Sequence, residues 1–116
     1  MANSDAILTA ARAHFDNMRD QEITIPEWGA EDAPLVAFYD PPTLARRQEI
    51  ERRGGKSEAR KMALTVMLSL KDADGKIIFP DDAPTLSAFE FQLDPAVINR
   101  AAVQILGLSG DQALEK

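Results

Sequence analysis

The stretch from Ser57 to Leu70 sets the tightest limit on what this chain can fold into. Ala59, Met62, Ala63, Val66, Met67 and Leu70 recur at intervals of three and four, and Leu64 and Leu68 add apolar surface on the flank. That spacing lines one face of an α-helix, and an apolar arc this wide needs neighbours on several sides. The sequence therefore predicts a central helix, with Ser57 placed to cap its first free amides. A buried helix needs a shell around it. The 116 residues are enough for one such core but not for a second full domain.

The shell can be read from the same grammar. Ile7, Leu8, Ala11, Phe15 and Met18 share a stripe if residues 4–19 are helical, with Asn3 or Ser4 as the cap. Ile23-Thr24-Ile25 and Leu35-Val36-Ala37-Phe38-Tyr39 are β-prone runs, halted by Pro26 and by Pro41-Pro42. They predict two short strands joined by a loop containing Pro26-Glu27-Trp28-Gly29. Asp40-Pro41-Pro42 reads as a helix start, with the helix running to Arg53 and Gly54-Gly55 stopping it. Asp72-Ala73-Asp74-Gly75 ends the central helix, and Ile77-Ile78-Phe79 is a short extended segment. Asp81 or Asp82 then caps a short helix carrying Leu86, Phe89 and Phe91. The last helix is framed by Asp94, Pro95 and Gly107. Val97, Ile98, Ala101, Ala102, Ile105 and Leu106 form its apolar face, opposite Asn99, Arg100 and Gln104. The expected fold is α+β and predominantly helical: a short N-terminal β-hairpin-like pair of strands packed with four or five helices. It forms a single domain, with residues 1–20 as an amphipathic N-terminal helix and residues 109–116 as a flexible tail.

Charge and composition exclude more than they identify. The chain holds 19 acidic and 13 basic residues, a formal charge of -6, and no cysteine. The missing cysteines remove disulfides, thiol nucleophiles and thiolate zinc sites. No run approaches the roughly 20 apolar residues of a membrane span, and Asp5, Arg12, His14 and Asp16 interrupt the place of a signal-peptide core. The expectation is a cytoplasmic chain with no membrane partner. The charge is also segregated: residues 1–45 hold two bases and eight acids, 46–61 seven bases and three acids, and 62–116 four bases and eight acids.

Each candidate constellation has a plainer reading beside it. His14 is the single histidine, so it cannot build a two-histidine metal site, and no Gly-x-Ser-x-Gly elbow accompanies it. Asp72-x-Asp74-Gly75 resembles part of a calcium loop, but that register puts Leu70 at the first ligand position, which favours an Asp-Gly turn. Gly54-Gly55-Lys56-Ser57 lacks the upstream glycine and preceding strand of a phosphate loop. Arg46, Arg47, Arg52, Arg53, Lys56, Arg60 and Lys61 could contact phosphates. No aromatics interleave them, and Glu49, Glu51 and Glu58 dilute their field, so a solvated face with a role in protein contact is favoured over nucleic acid. Trp28 is an anchor closing a small core or a partner contact. Phe89 and Phe91 stand two apart and cannot both face inward from one helix. Candidate partner-binding residues are therefore Trp28, Arg46, Arg47, Arg53, Phe89 and Phe91; the sequence offers no catalytic, metal or cofactor residues.

The order of the segments carries one further signal. Ile23-Thr24-Ile25-Pro26-Glu27-Trp28-Gly29 is followed by a short strand, a Pro-led basic helix and an apolar helix. That helix runs into Asp72-Ala73-Asp74-Gly75-Lys76-Ile77-Ile78-Phe79, and Asp94-Pro95-Ala96-Val97 comes last. Over residues 23–108 this resembles the tail assembly chaperones of long-tailed bacteriophages, their prophage remnants and related gene transfer agents. The resemblance implies a non-enzymatic protein without a cofactor. Such a protein binds the long tape measure protein before and during tail tube polymerisation, in the host cytoplasm, and is absent from the finished particle. The major tail protein and a second copy of the chain are further partners it leaves open. The alternatives are a minor structural tail or connector protein and, with less support, a small nucleic-acid-binding regulator using the Arg46 to Lys61 segment.

Overall fold

A computed structural model describes residues 3–30 and 32–107. Helix α1 (Ser4–Asp16) is followed by strands β1 (Gln21–Ala30) and β2 (Ala33–Tyr39), then helices α2 (Leu44–Gly54), α3 (Glu58–Ser69), α4 (Ala83–Phe91) and α5 (Pro95–Leu106). The fold is the predominantly helical α+β arrangement expected, with the strand pair ahead of the main helices.

Helix α3 is the centre of the molecule. Residues 63–68 are buried without a break, and α2, α4 and α5 each pack on it. Leu64, Val66, Met67 and Leu70 are fully enclosed; removal from water contributes about 1.5–3 kcal/mol for each such side chain. The Ser57 hydroxyl accepts the Arg60 amide at 3.0 Å, so the cap is the one the sequence predicts. Thr65, the buried polar residue in this run, donates its hydroxyl to the Lys61 carbonyl at 2.8 Å and leaves nothing unsatisfied.

The two strands pair antiparallel, with Ile23 opposite Ala37 and Ile25 opposite Leu35, and the register shifts between Ile25 and Ala30. Pro26 does not end β1. It falls in the irregular stretch, where a missing amide hydrogen costs no ladder bond. Pro26-Glu27-Trp28-Gly29 therefore belongs to a long first strand instead of a joining loop, and the chain reverses between Ala30 and Ala33. Gly29 is required there because a Cβ at that position would collide with the Ala33 carbonyl oxygen and the Leu35 nitrogen. Ile23, Ile25, Ala37 and Tyr39 alternate onto the core face. That face is fixed to α5: the Tyr39 hydroxyl donates to the Gln104 carbonyl, and the Gln104 side-chain amide donates to the Glu22 carbonyl.

Other boundaries also shift. Helix α1 stops at Asp16 instead of residue 19, and Asn3 caps it by accepting the Asp5 amide. Helix α2 starts at Leu44 under a Thr43 cap, not at Asp40. Pro41 and Pro42 precede that helix, and Asp40 turns to the Asp20 amide and the Lys71 ammonium, each at 2.9 Å. Residues 77–79 form no strand; Lys71 makes isolated bridges to Phe38 and Ile77. The Asp-Gly turn before them is as expected. Asp72 accepts the amides of Asp74 and Lys76, and Gly75 has φ 84°. The tail at 109–116 lies outside the described residues.

Candidate partner-binding surface

Helices α4 and α5 are joined by a three-residue corner, 92–94, because each has its own start signal. Asp82 caps α4 by accepting the Thr85 amide, and Asp94 caps α5 by accepting the Ala96 amide, only three residues after α4 ends. The corner leaves an open groove of about 480 Å³ between the first turns of α3 and α5 and the end of α4. Met62, Leu93 and Ile98 line its apolar walls, Phe91 stands on the lip, and Glu58 and Glu90 lie at its border. Phe91 is 79% exposed while Phe89, two residues earlier, is 3% exposed. Helical spacing allowed one of the pair inside, and the structure makes Phe89 the supporting floor and Phe91 the presented ring.

Trp28 completes the support. Its indole stands edge-on to Phe79 at 6.1 Å and to Phe89 at 5.7 Å, and Phe79 and Phe89 are themselves edge-on at 5.0 Å. Three such contacts fix the angle of α4 beyond what burial alone achieves. Trp28 is half-buried, so it anchors β1 to the floor of the groove. The Arg100 guanidinium grips Glu27 through two hydrogen bonds of 3.0 and 2.6 Å, tying the same part of β1 to α5. That bond holds the Glu27 carboxyl below the usual carboxylate range.

The basic candidates lie elsewhere and are largely occupied. Arg46 and Arg53 both pair with Glu49, and Arg53 also makes a two-bond fork on Asp81. The Asp81 fork lowers that carboxyl and raises the guanidinium. Arg47 donates to the Leu106 carbonyl at the end of α5, where a helix C-terminus favours a cation. Lys61 bridges Glu51 and Glu58, and Arg60 bonds Glu90 at the groove border. These side chains mainly fasten α2 and α3 to their neighbours. Arg52 and Lys56 make no ion pair among the described residues.

A second apolar surface is on α1, which buries none of its residues. Ile7 is 55% and Leu8 50% exposed, and Phe15 is half-covered by Arg19, whose guanidinium lies 5.8 Å from the ring centre. The α1 stripe is readable from spacing alone, but no local signal shows that it stays uncovered. Leu93 and the groove itself were equally invisible, since they depend on how two capped helices meet. Among the described residues no helix is long and apolar enough to cross a membrane, and no group of three or more His, Asp or Glu is placed to hold a metal ion. Chemically, the surface offers apolar contact bordered by carboxylates. Comparison with family models, with curated proteins and with solved structures returned no match for this chain.

Proposed function

We propose that this protein is a tail assembly chaperone that binds the tape measure protein of a long-tailed phage or gene transfer agent and keeps it soluble while the tail tube polymerises. The observation that carries the reading is the open apolar groove with Phe91 at its lip, on a chain of net charge -6. A tape measure protein is a very long helical chain whose apolar faces would otherwise associate, and an amphipathic helix laid in an apolar groove is a recurrent way of covering such a face. The acidic charge of the holder then opposes aggregation of the pair. The ordered segments from Ile23 to Val97 add the family resemblance. On this reading the chain acts by contact, without a cofactor, in the host cytoplasm, and leaves before the particle matures.

Co-expression tests it. The full chain and its cognate tape measure protein, produced together, are expected to yield a soluble tape measure protein that co-purifies with the chain. Phe91→Glu should reduce the recovered complex at least several-fold while leaving the chaperone folded, because the ring lies on the surface. A tape measure protein equally soluble alone, with no association, refutes the proposal. Recovery of the chain from purified mature particles would instead favour a structural tail component.

A further inference from the structure

We infer that two copies of this chain pair through α1 alone, the helices lying antiparallel with the Ser4, Leu8, Ala11 and Phe15 seam of one against that of the other. Every residue of α1 except the half-buried Phe15 is exposed, on all sides of the helix, so α1 stands off the rest of its own copy. A free 13-residue helix is marginal in water, and covering its apolar face stabilises it.

The seam has coiled-coil spacing. Ser4, Leu8, Ala11 and Phe15 follow one another at four, three and four residues, with Ile7 and His14 on one edge and Asp5 and Arg12 on the other. When two such seams meet antiparallel about an axis between residues 9 and 10, each large side chain packs beside a small one. Leu8 lies beside Ala11 of the second copy, and Phe15 beside Ser4. This alignment overlaps the helices along nearly their whole length, because α1 runs from Ser4 to Asp16 and is centred on Ala10.

Charge selects the same alignment. Asp5, Arg12 and Asp16 share one edge of α1; Asp16 is held by Arg19 at 3.3 Å, and Asp5 and Arg12 make no ion pair among the described residues. Seven residues separate Asp5 from Arg12, about 10 Å along the axis, too far to pair within one copy. In an antiparallel pair like edges meet, so each Arg12 comes against Asp5 of the second copy and the ion pair forms twice about the two-fold axis. Sliding the helices by one seven-residue repeat sets Arg12 on Arg12 or Asp5 on Asp5. A parallel pair sets the Asp5 and Arg12 edge against the Ile7 and His14 edge, which leaves both charges unmatched and gathers two acidic chains at one end. The contact is small. About 20 Å long and one helix wide, it stays below the roughly 1,200 Å² total of a standard interface, so the pairing is weak and reversible, with a Kd on the order of 0.1–1 mM.

The pairing uses neither the groove nor a tape measure protein, so it and the chaperone reading fail separately. Sedimentation equilibrium of the full chain should give an average mass rising from 12.7 kDa towards twice that as concentration passes from about 0.02 to about 1 mM. Leu8→Glu, at a half-exposed position, should hold the chain at a single mass throughout. Arg12→Asp and Asp5→Arg are the decisive variants. Each alone sets like charges together and should weaken the dimer at least about 5-fold, whereas an equimolar mixture of the two places opposite charges at both crossings and should pair at least as well as the natural chain. Both variants remain acidic overall, so bulk attraction does not account for a mixed dimer. A single-chain mass at about 1 mM, a dimer indifferent to either charge variant, or a mixture no more associated than its separate components overturns the proposal.

Discussion

Asp40 shows how one carboxylate can hold three segments together. Burial pushes its pKa up, but the Asp20 amide and the Lys71 ammonium outweigh that and hold it below the ordinary value. A carboxyl depressed in the folded state stabilises fully above its unfolded pKa of about 3.9, and that contribution is lost as pH falls through the lower folded value. Asp40→Asn should therefore lower stability by about 0.5–1 kcal/mol at neutral pH, a figure kept small because the pair is partly in solvent. It should also narrow the gap between urea midpoints measured at pH 7 and pH 3; an unchanged gap would detach Asp40 from acid stability. Gly29 supplies a contrasting case, in which sterics decide. A methyl group there meets the backbone of Ala33 and Leu35, which cannot rotate away as a side chain could. Gly29→Ala should cost about 2–3 kcal/mol in chemical denaturation. At Gly75 a Cβ meets open space and only the φ of 84° opposes it, so Gly75→Ala should cost about 1 kcal/mol.

At the level of elements, α1 and α3 are of similar length but differ in what stabilises them. Helix α3 has neighbours around most of its circumference, so Met67→Ala or Leu64→Ala should cost about 2–5 kcal/mol through lost burial and the cavity left behind. Helix α1 relies on its own hydrogen bonds unless something docks on it. In dilute samples its amides should exchange with solvent near unprotected rates while those of α3 stay protected, and a bound partner should slow α1 selectively; hydrogen exchange measures both. The sequence makes the helices legible because their apolar repeats and the caps at Asn3, Ser57, Asp82 and Asp94 are local signals. It misplaces the hairpin turn and the start of α2 because those depend on remote partners. Pro26 can stay in β1 only because the register shifts opposite it, and Asp40 is drawn from its capping position by Asp20 and Lys71. The groove is less legible still. Phe91 was readable as one of two competing rings, but its wall is made by residues from three helices whose angles no local pattern encodes.

Across the whole molecule, the division of charge separates the two kinds of partner. Residues 46–61 carry seven bases, yet Arg46, Arg53, Arg60 and Lys61 already sit on carboxylates, so a phosphate backbone would have to displace Glu49, Asp81, Glu90, Glu51 or Glu58 to reach them. The apolar groove needs no such exchange. Binding there removes apolar surface from water, which makes the heat-capacity change of association negative and leaves affinity largely indifferent to salt. Calorimetry of the chain with a helical tape measure segment, repeated at several temperatures, should show that negative change. Between about 0.05 and 0.5 M salt the dissociation constant should move by less than about 3-fold, because the contact is made by apolar walls and few ions are released from the two carboxylates at the border. A protein neutralising six to ten phosphates loses roughly a thousand-fold or more over a narrower range. A steep fall of that kind, with no heat-capacity change, would move the binding surface from the α3–α4–α5 corner to the basic face of α2. Arg52 and Lys56, exposed and without ion pairs among the described residues, would then be the first side chains to test by substitution with Ala.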